Sequence, residues 1–212
     1  MSKLVIFGAN GATGHAIVEQ ALHAGHHVRA VVRNPDTFRR VPEELQPALE
    51  IVKGDVLDHD DVHAAIRGQD AVISAIGPSG THSGGLYSRS ARHFVTAMAA
   101  ENVARIVVLS SSGVRRGDPH HPLWYRALAR TVMRELYGDM ETMENILERS
   151  ELSWTAVRPS RIIDEPVSGG YRIGDNENPE GGTTINRSDL ARFVLQAATE
   201  DTWSRRRPTL AH

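Results

Sequence analysis

Short, wholly apolar runs alternate with amphipathic stretches along the first two-thirds of the chain. Leu4 to Phe7 and Val28 to Val32 are such runs. Between them, Ala12 to Ala24 carries apolar residues at helical spacing and stops at Gly25. The alternation continues with a strand over Glu50 to Lys53, a helix over Asp58 to Arg67 and a strand in "DAVISAIG" (Asp70 to Gly77). A helix over Leu86 to Glu101 and a strand in "ARIVVLSSSG" (Ala104 to Gly113) follow. Strands apolar on both faces need cover on both faces, which a parallel sheet with crossover helices provides. Right-handed crossovers then predict an α/β fold built on a doubly wound parallel sheet.

The remainder is less regular. Pro122 to Ser150 predicts helix, interrupted at Gly138, and "SWTAVRP" (Ser153 to Pro159) predicts another buried strand. "DEPVSGGYRIGDNENPEGGTT" predicts loop with a short strand near Tyr171 to Ile173. Ser188 and Asp189 open a last amphipathic helix carrying Leu190, Phe193, Val194 and Ala197. No linker or repeat divides the 212 residues, so a single domain is expected.

Composition removes several function classes. A hydrophobic share of 40% and a charged share of 24% suit an ordinary globular protein. The formal charge of −2 gives no reason to expect nucleic acid or an anionic membrane as partner. No apolar run reaches spanning length and "MSKLVIFG" enters a strand at once, so a cytoplasmic location is expected. The absence of cysteine removes disulfides, thiolate catalysis and zinc–thiolate sites. His59 and His63 stand four apart, and His23, His26 and His27 cluster at a helix end. No carboxylate–histidine signature accompanies them, so they read as solvated and no metal site is expected. Arg205 to Arg207 read as a solvated tail, and Trp124 and Tyr125 as either substrate-flanking rings or core.

The loop after the first strand, "GANGATG", carries more. Gly8 permits a tight turn, Gly11 lets backbone approach a pyrophosphate, and Gly14 allows close helix–strand packing. Asn10, Ala12 and Thr13 line the same cradle, and the helix that follows presents free amides and a partial positive charge to phosphates. The second strand ends in "VVRNP", with Arg33 where a site for NAD(H) carries an acid that holds the ribose 2′-hydroxyl. A guanidinium there pairs instead with a 2′-phosphate, which predicts NADP(H) over NAD(H). Asp55 and Val56 follow the third strand and are placed against the adenine. Ala75, Ile76 and Gly77 follow the fourth and are placed against a ribose.

These segments, with "RIVVLSSSG", "SWTAVRP", "GGYRIG" and "INRSDLARFVLQA", resemble the atypical or extended short-chain dehydrogenases/reductases, a Rossmann-like NAD(P)-binding group that includes NmrA-like proteins. Nearly the whole chain takes part, and within the group it looks most like flavin reductases of the biliverdin-IXβ reductase type. The resemblance implies that Ser111 lies at the hydride-transfer site with Ser110 and Ser112 alongside, and that the Pro159 and Ser160 backbone borders the nicotinamide. From the organisation of the chain, the part from about residue 160 is expected to close over the substrate side. Arg161 stands where the biliverdin reductases carry histidine.

Carbonyl-reducing members of that group use a Tyr-x-x-x-Lys pair, in which lysine lowers the tyrosine pKa. Here Tyr125 is followed at that spacing by Ala129 and Tyr137 by Glu141, and the only lysines are Lys3 and Lys53. Arg130 and Arg134 cannot relay a proton, because arginine stays charged. The expectation is therefore an NAD(P)H-dependent reductase of a flat small-molecule acceptor, a flavin or a quinone, working as monomer or homodimer. The alternatives are an NADP(H)-binding redox sensor without turnover and a sugar-nucleotide or isoprenoid-type epimerase/reductase, for which no proton donor is evident.

Overall fold

The computed structural model describes residues 1–165 and 170–212. Six strands follow the expected alternation: β1 (Lys3–Phe7), β2 (His27–Val32), β3 (Leu49–Lys53), β4 (Ala71–Ser74), β5 (Arg105–Leu109) and β6 (Ser153–Pro159). The connecting helices are α1 (Ala12–His23), α2 (His59–Ile66), α3 (Leu86–Glu101), and the pair α4 (Leu123–Arg130) and α5 (Arg134–Glu148). The C-terminal part holds β7 (Arg161–Ile163), β8 (Arg172–Asp175), β9 (Thr184–Asn186), α6 (Arg187–Thr199) and β10 (Pro208–Ala211).

The sheet order is β3-β2-β1-β4-β5-β6-β10-β8, parallel throughout except for the antiparallel β10–β8 pair at one edge. The order in which strands are added reverses between the parallel neighbours β1 and β4, which pair with Phe7 opposite Ser74. That is the switch point at which two successive loops diverge and leave a crevice beyond the carboxyl ends.

Alternation along the strands decides which side each residue buries. Val5 and Phe7 join Phe94, Met98, Met143 and Trp154 on the face covered by α2, α3 and α5. Leu4 and Ile6 join Ile17, Val18, Phe193 and Leu210 on the face covered by α1 and α6. Phe7 and Phe94 meet with ring centroids 4.9 Å apart. The fold is thus a single-domain, doubly covered α/β sheet. Among the described residues, no helix is long and apolar enough to cross a membrane.

Two expectations are corrected. The helical stretch from Pro122 breaks at Thr131 to Met133, between α4 and α5, whereas Gly138 lies inside α5. A glycine weakens a helix interior by about 1 kcal/mol, which the packing of Leu136, Tyr137 and Met140 overrides. Nor is the arginine run a solvated tail. Arg205 donates to the carbonyls of Glu148, Ser150 and Leu152, and Arg207 lies 4.8 Å over the Trp154 ring. The strand that follows it, β10, sits inside the sheet between β6 and β8. Part of the loop expected after β6, positions 166–169, lies outside the described residues.

Candidate functional site

The glycines of "GANGATG" turn out to have different tasks. Gly8 adopts φ +76°, and a side chain there would begin 2.5 Å from the Ala75 carbonyl oxygen, so β1 and β4 can close together only over a glycine. A side chain on Gly14 would begin 2.1 Å from the Gly8 carbonyl oxygen, inside the turn itself. Gly11 meets only the Gly8 carbonyl oxygen, at 3.3 Å, and is exposed. Its lack of a side chain leaves the start of α1 open from outside.

That start is unusually bare. Gly11 caps α1 without a side-chain acceptor, and no acid stands in the first turn. By contrast α2 is capped by Asp58, whose carboxylate accepts from the Asp60 and Asp61 amides. The first amides of α1 therefore keep unspent donors and a partial positive charge, the donor set a phosphate requires.

A groove of about 480 Å³ runs from this turn along the crevice. Gly8, Asn10, Gly11, Arg33, Asp55, Val56, Ala75, Ile76 and Gly77 all line it, so nine residues from four separate loops converge as expected. Asn10 ties two of the loops together: its amide donates to Thr37 Oγ1 and its carbonyl oxygen accepts from the Arg39 amide, both at 3.3 Å. The Asp55 carboxylate accepts from the Leu57 amide at 2.9 Å, shaping the turn after β3. Arg33 is exposed and has no hydrogen bond or ion pair with any described residue.

Ala12, Thr13, Gly14, Ser110, Ser111, Pro159 and Ser160 do not line that groove. The register nevertheless sets Ser111 and Pro159 level, two residues beyond the Leu109–Val157 pair at the carboxyl ends of β5 and β6. Ser111 is half-buried; its Oγ accepts from the Gly113 amide at 3.3 Å, and its hydroxyl also hydrogen-bonds the Tyr125 phenol. Ser110 and Ser160 are turned away. Ser110 Oγ donates to Glu144 at 2.6 Å and Ser160 Oγ to Asn178 at 2.7 Å, both within buried networks, and the Ser160 amide is bound by Leu210.

Several residues that pattern reading passes over position this site. Glu144, 2% exposed, accepts from Arg158 Nε at 2.9 Å and Arg207 Nε at 3.1 Å as well as from Ser110. Glu135 and Asp139, one turn apart on α5, accept from the amides of Ser83, Gly84, Tyr87 and Ser88, so α5 holds the loop after β4 and the start of α3. The Ser83 hydroxyl, which donates to Glu135 at 2.7 Å, and then the Ser83 and Gly84 amides keep the Glu135 carboxyl below its ordinary range. The phenol of Tyr87 comes to 3.8 Å from where a side chain on Gly77 would begin, and burial, aided by Asp139, pushes its pKa up to about 12. Arg187, at the start of α6, donates to Thr13 Oγ1 at 2.6 Å while paired with Asp164. The hydrogen-bonded partners lie 14 to 174 positions from one another, so no sequence period could have flagged them.

Around Ser111 stand two more phenols. Tyr125 and Tyr137 share a hydrogen bond of 2.9 Å and close over Gly113, which has no room for a side chain beside them. Burial pushes the Tyr125 phenol far above its ordinary value, against the opposing hydrogen bonds of Ser111 and Ser112. It is held as a neutral phenol.

A family model described as NAD(P)H-binding matches residues 8–201. The chain belongs to that NAD(P)H-binding family. It is 26% identical over 212 residues to YhfK of Bacillus subtilis, named an uncharacterized sugar epimerase, an alignment covering 93% of this chain and 88% of that one. Among solved structures it matches ChuY, an anaerobilin reductase of Escherichia coli, with TM-score 0.78 and 22% identity over 99% of this chain and 97% of the other. A short-chain dehydrogenase/reductase of Veillonella parvula, solved with NADP, gives 0.79 and 17% identity over 100% and 94%. At such identities the two structures establish the fold, while the family supplies NAD(P)H binding. The bare α1 terminus and the glycine turn fit a dinucleotide's phosphates.

Proposed function

We propose that this protein is an NADP(H)-dependent reductase delivering hydride to a flat conjugated acceptor, flavin first and quinone second, within the NmrA-like, biliverdin-IXβ-reductase-type group. The observation that carries the cofactor half is Arg33, unpaired at the rim of a groove that begins on the open end of α1. In this reading the amides of Ala12, Thr13 and Gly14 and the turn at Gly8 to Gly11 hold the pyrophosphate, and Arg33 holds the 2′-phosphate by charge-assisted hydrogen bonds. Asp55 and Val56 border the adenine, Ala75 to Gly77 a ribose, and the Pro159–Ser160 turn the nicotinamide.

The reduced nicotinamide, when bound, supplies the hydride. The chain's own task is alignment and the exclusion of side reactions. Ser111 gives its hydroxyl hydrogen bond to a carboxamide or an acceptor oxygen, in exchange for its bond to Tyr125. Tyr125 and Tyr137 back this serine as neutral phenols. A tyrosine whose pKa is raised, with no lysine beside it, is a poor general acid near neutral pH, which favours acceptors whose reduction draws its proton from water.

The test mixes purified protein with NADPH and FMN, then with NADPH and a soluble benzoquinone, and follows loss of nicotinamide absorbance. Saturable oxidation dependent on acceptor is expected. Saturable NADPH binding with no oxidation by either acceptor would replace this reading with that of a redox sensor.

A further inference from the structure

The β5–α4 connection and α4 carry four arginines within reach of the Ser111 loop, and they are not equivalent. Arg115 is held by Glu177 at 2.7 Å and Arg116 by Glu141 at 3.3 Å. Arg126 and Arg130, one helical turn apart, have no ion pair with any described residue. Both bring Nη2 to 4.0 Å from one point, the place where a side chain on Gly117 would begin. Gly117 itself sits at φ +87° and contributes no side chain to fill that place.

Two guanidinium groups turned to one point repel each other unless an anion lies between them. Arg126 Nε is moreover buried with no hydrogen-bond partner, the only arginine nitrogen in that condition among the described residues. A buried donor left unmet costs about 1–3 kcal/mol, more for a charged group, so its persistence points to a ligand oxygen. The two arginines share a cleft with Gly113, His121 and Tyr125, and the Tyr125 phenol reaches Ser111 from the other side. The cleft is small, about 10 Å³, so a ring is excluded from it and only an atom at the end of a ligand would reach the two guanidinium groups.

We infer that Arg126 and Arg130 form an anion subsite for the acceptor, so that the preferred substrate is a conjugated ring system carrying a terminal phosphate or carboxylate. This rests on the reductase reading for its acceptor, with the ring beside Ser111 and the anionic tail at the α4 arginines. The two arginines set specificity and take no part in hydride transfer.

The experiment compares FMN with riboflavin, the same ring with and without a phosphate, in the wild type and in Arg126→Gln/Arg130→Gln. The KM for FMN is expected to lie well below that for riboflavin, and to rise by about tenfold in the variant while kcat and the riboflavin KM hold. Equal KM values for the two flavins in the wild type, or a parallel rise for both in the variant, overturns the subsite. A second measurement needs no turnover: the Arg126 Nε–Hε resonance is followed while inorganic phosphate is titrated into wild-type protein. A saturable shift supports the subsite even if neither flavin is reduced, an outcome that would sink the reductase reading alone. No shift at Arg126 overturns the subsite even if FMN is reduced.

Discussion

At the scale of single residues, space and charge separate roles that a motif lumps together. Gly14→Ala would drive a methyl group into the Gly8 carbonyl at 2.1 Å, backbone against backbone, which nothing flexible can relieve. A loss of about 1–3 kcal/mol is expected, read as a lower midpoint in urea. Gly11→Ala, meeting only one oxygen at 3.3 Å, is expected to fold with a midpoint near wild type and to bind NADPH more weakly, because the methyl stands over the open end of α1. Arg33→Glu puts a carboxylate where the 2′-phosphate is proposed to sit. NADPH affinity should fall by tenfold or more, on the order of 1.5–3 kcal/mol, with NADH nearly unaffected. Equal losses for both cofactors in a fluorescence titration would remove the assignment.

At the scale of elements, α5 is the brace of the site. Glu144 is a buried carboxylate between Arg158 and Arg207 that also takes the Ser110 hydroxyl. Glu144→Ala leaves two guanidinium groups facing an empty place, and breaking a buried pair in this way costs about 3–5 kcal/mol. A drop of that size in unfolding free energy is expected from chemical denaturation, together with loss of order in the Ser111 turn. One and two turns nearer its start, Asp139 and Glu135 fasten the loop after β4 to the same helix. The Glu135 carboxyl is lowered from 4.5 by its bonds to Ser83 and Gly84, so its contribution is present above that value and is lost as pH falls through the lower, folded-state value. Glu135→Gln should therefore be less stable than wild type at about pH 7, and the difference should close as the pH falls below 4.5 and the folded-state carboxylate is protonated. A gap that persisted in acid would mean that the carboxylate charge is not what holds the loop.

At the scale of the whole molecule, the last strand closes the architecture. β10 is parallel to β6 and antiparallel to β8, and Leu210 and Ala211 are fully buried. Ending the chain after Ser204 removes β10, unpairs β8 and strips the Leu210 contacts from the face under α6. Such a truncation is expected to lose its cooperative thermal transition by circular dichroism and to elute as aggregate. A sharp melt near the wild-type temperature would show that the sheet is complete at β6. The same segment shows where pattern reading stops. Three consecutive arginines look solvated in one dimension, yet Arg205 and Arg207 spend their donors on carbonyls and carboxylates of α5 and the turn after it.

Local physics determined a good deal from the chain alone. Apolar runs covered on both faces, glycines at Gly8, Gly11 and Gly14, and a cation in place of an acid at Arg33 define the sheet, its first turn and the charge at its rim. Each is readable because strand alternation, helix periodicity and turn chemistry act over a few residues. The tertiary structure alone decided which of those glycines guard packing and which leaves the helix end open. It also decided that Ser110 faces Glu144 while its neighbour Ser111 does not, and that Arg126 and Arg130 converge without a counter-charge. Those outcomes depend on distances between groups remote in sequence. Coulomb interactions, steric overlap and burial act through space, and only the packed sheet and helices set that geometry.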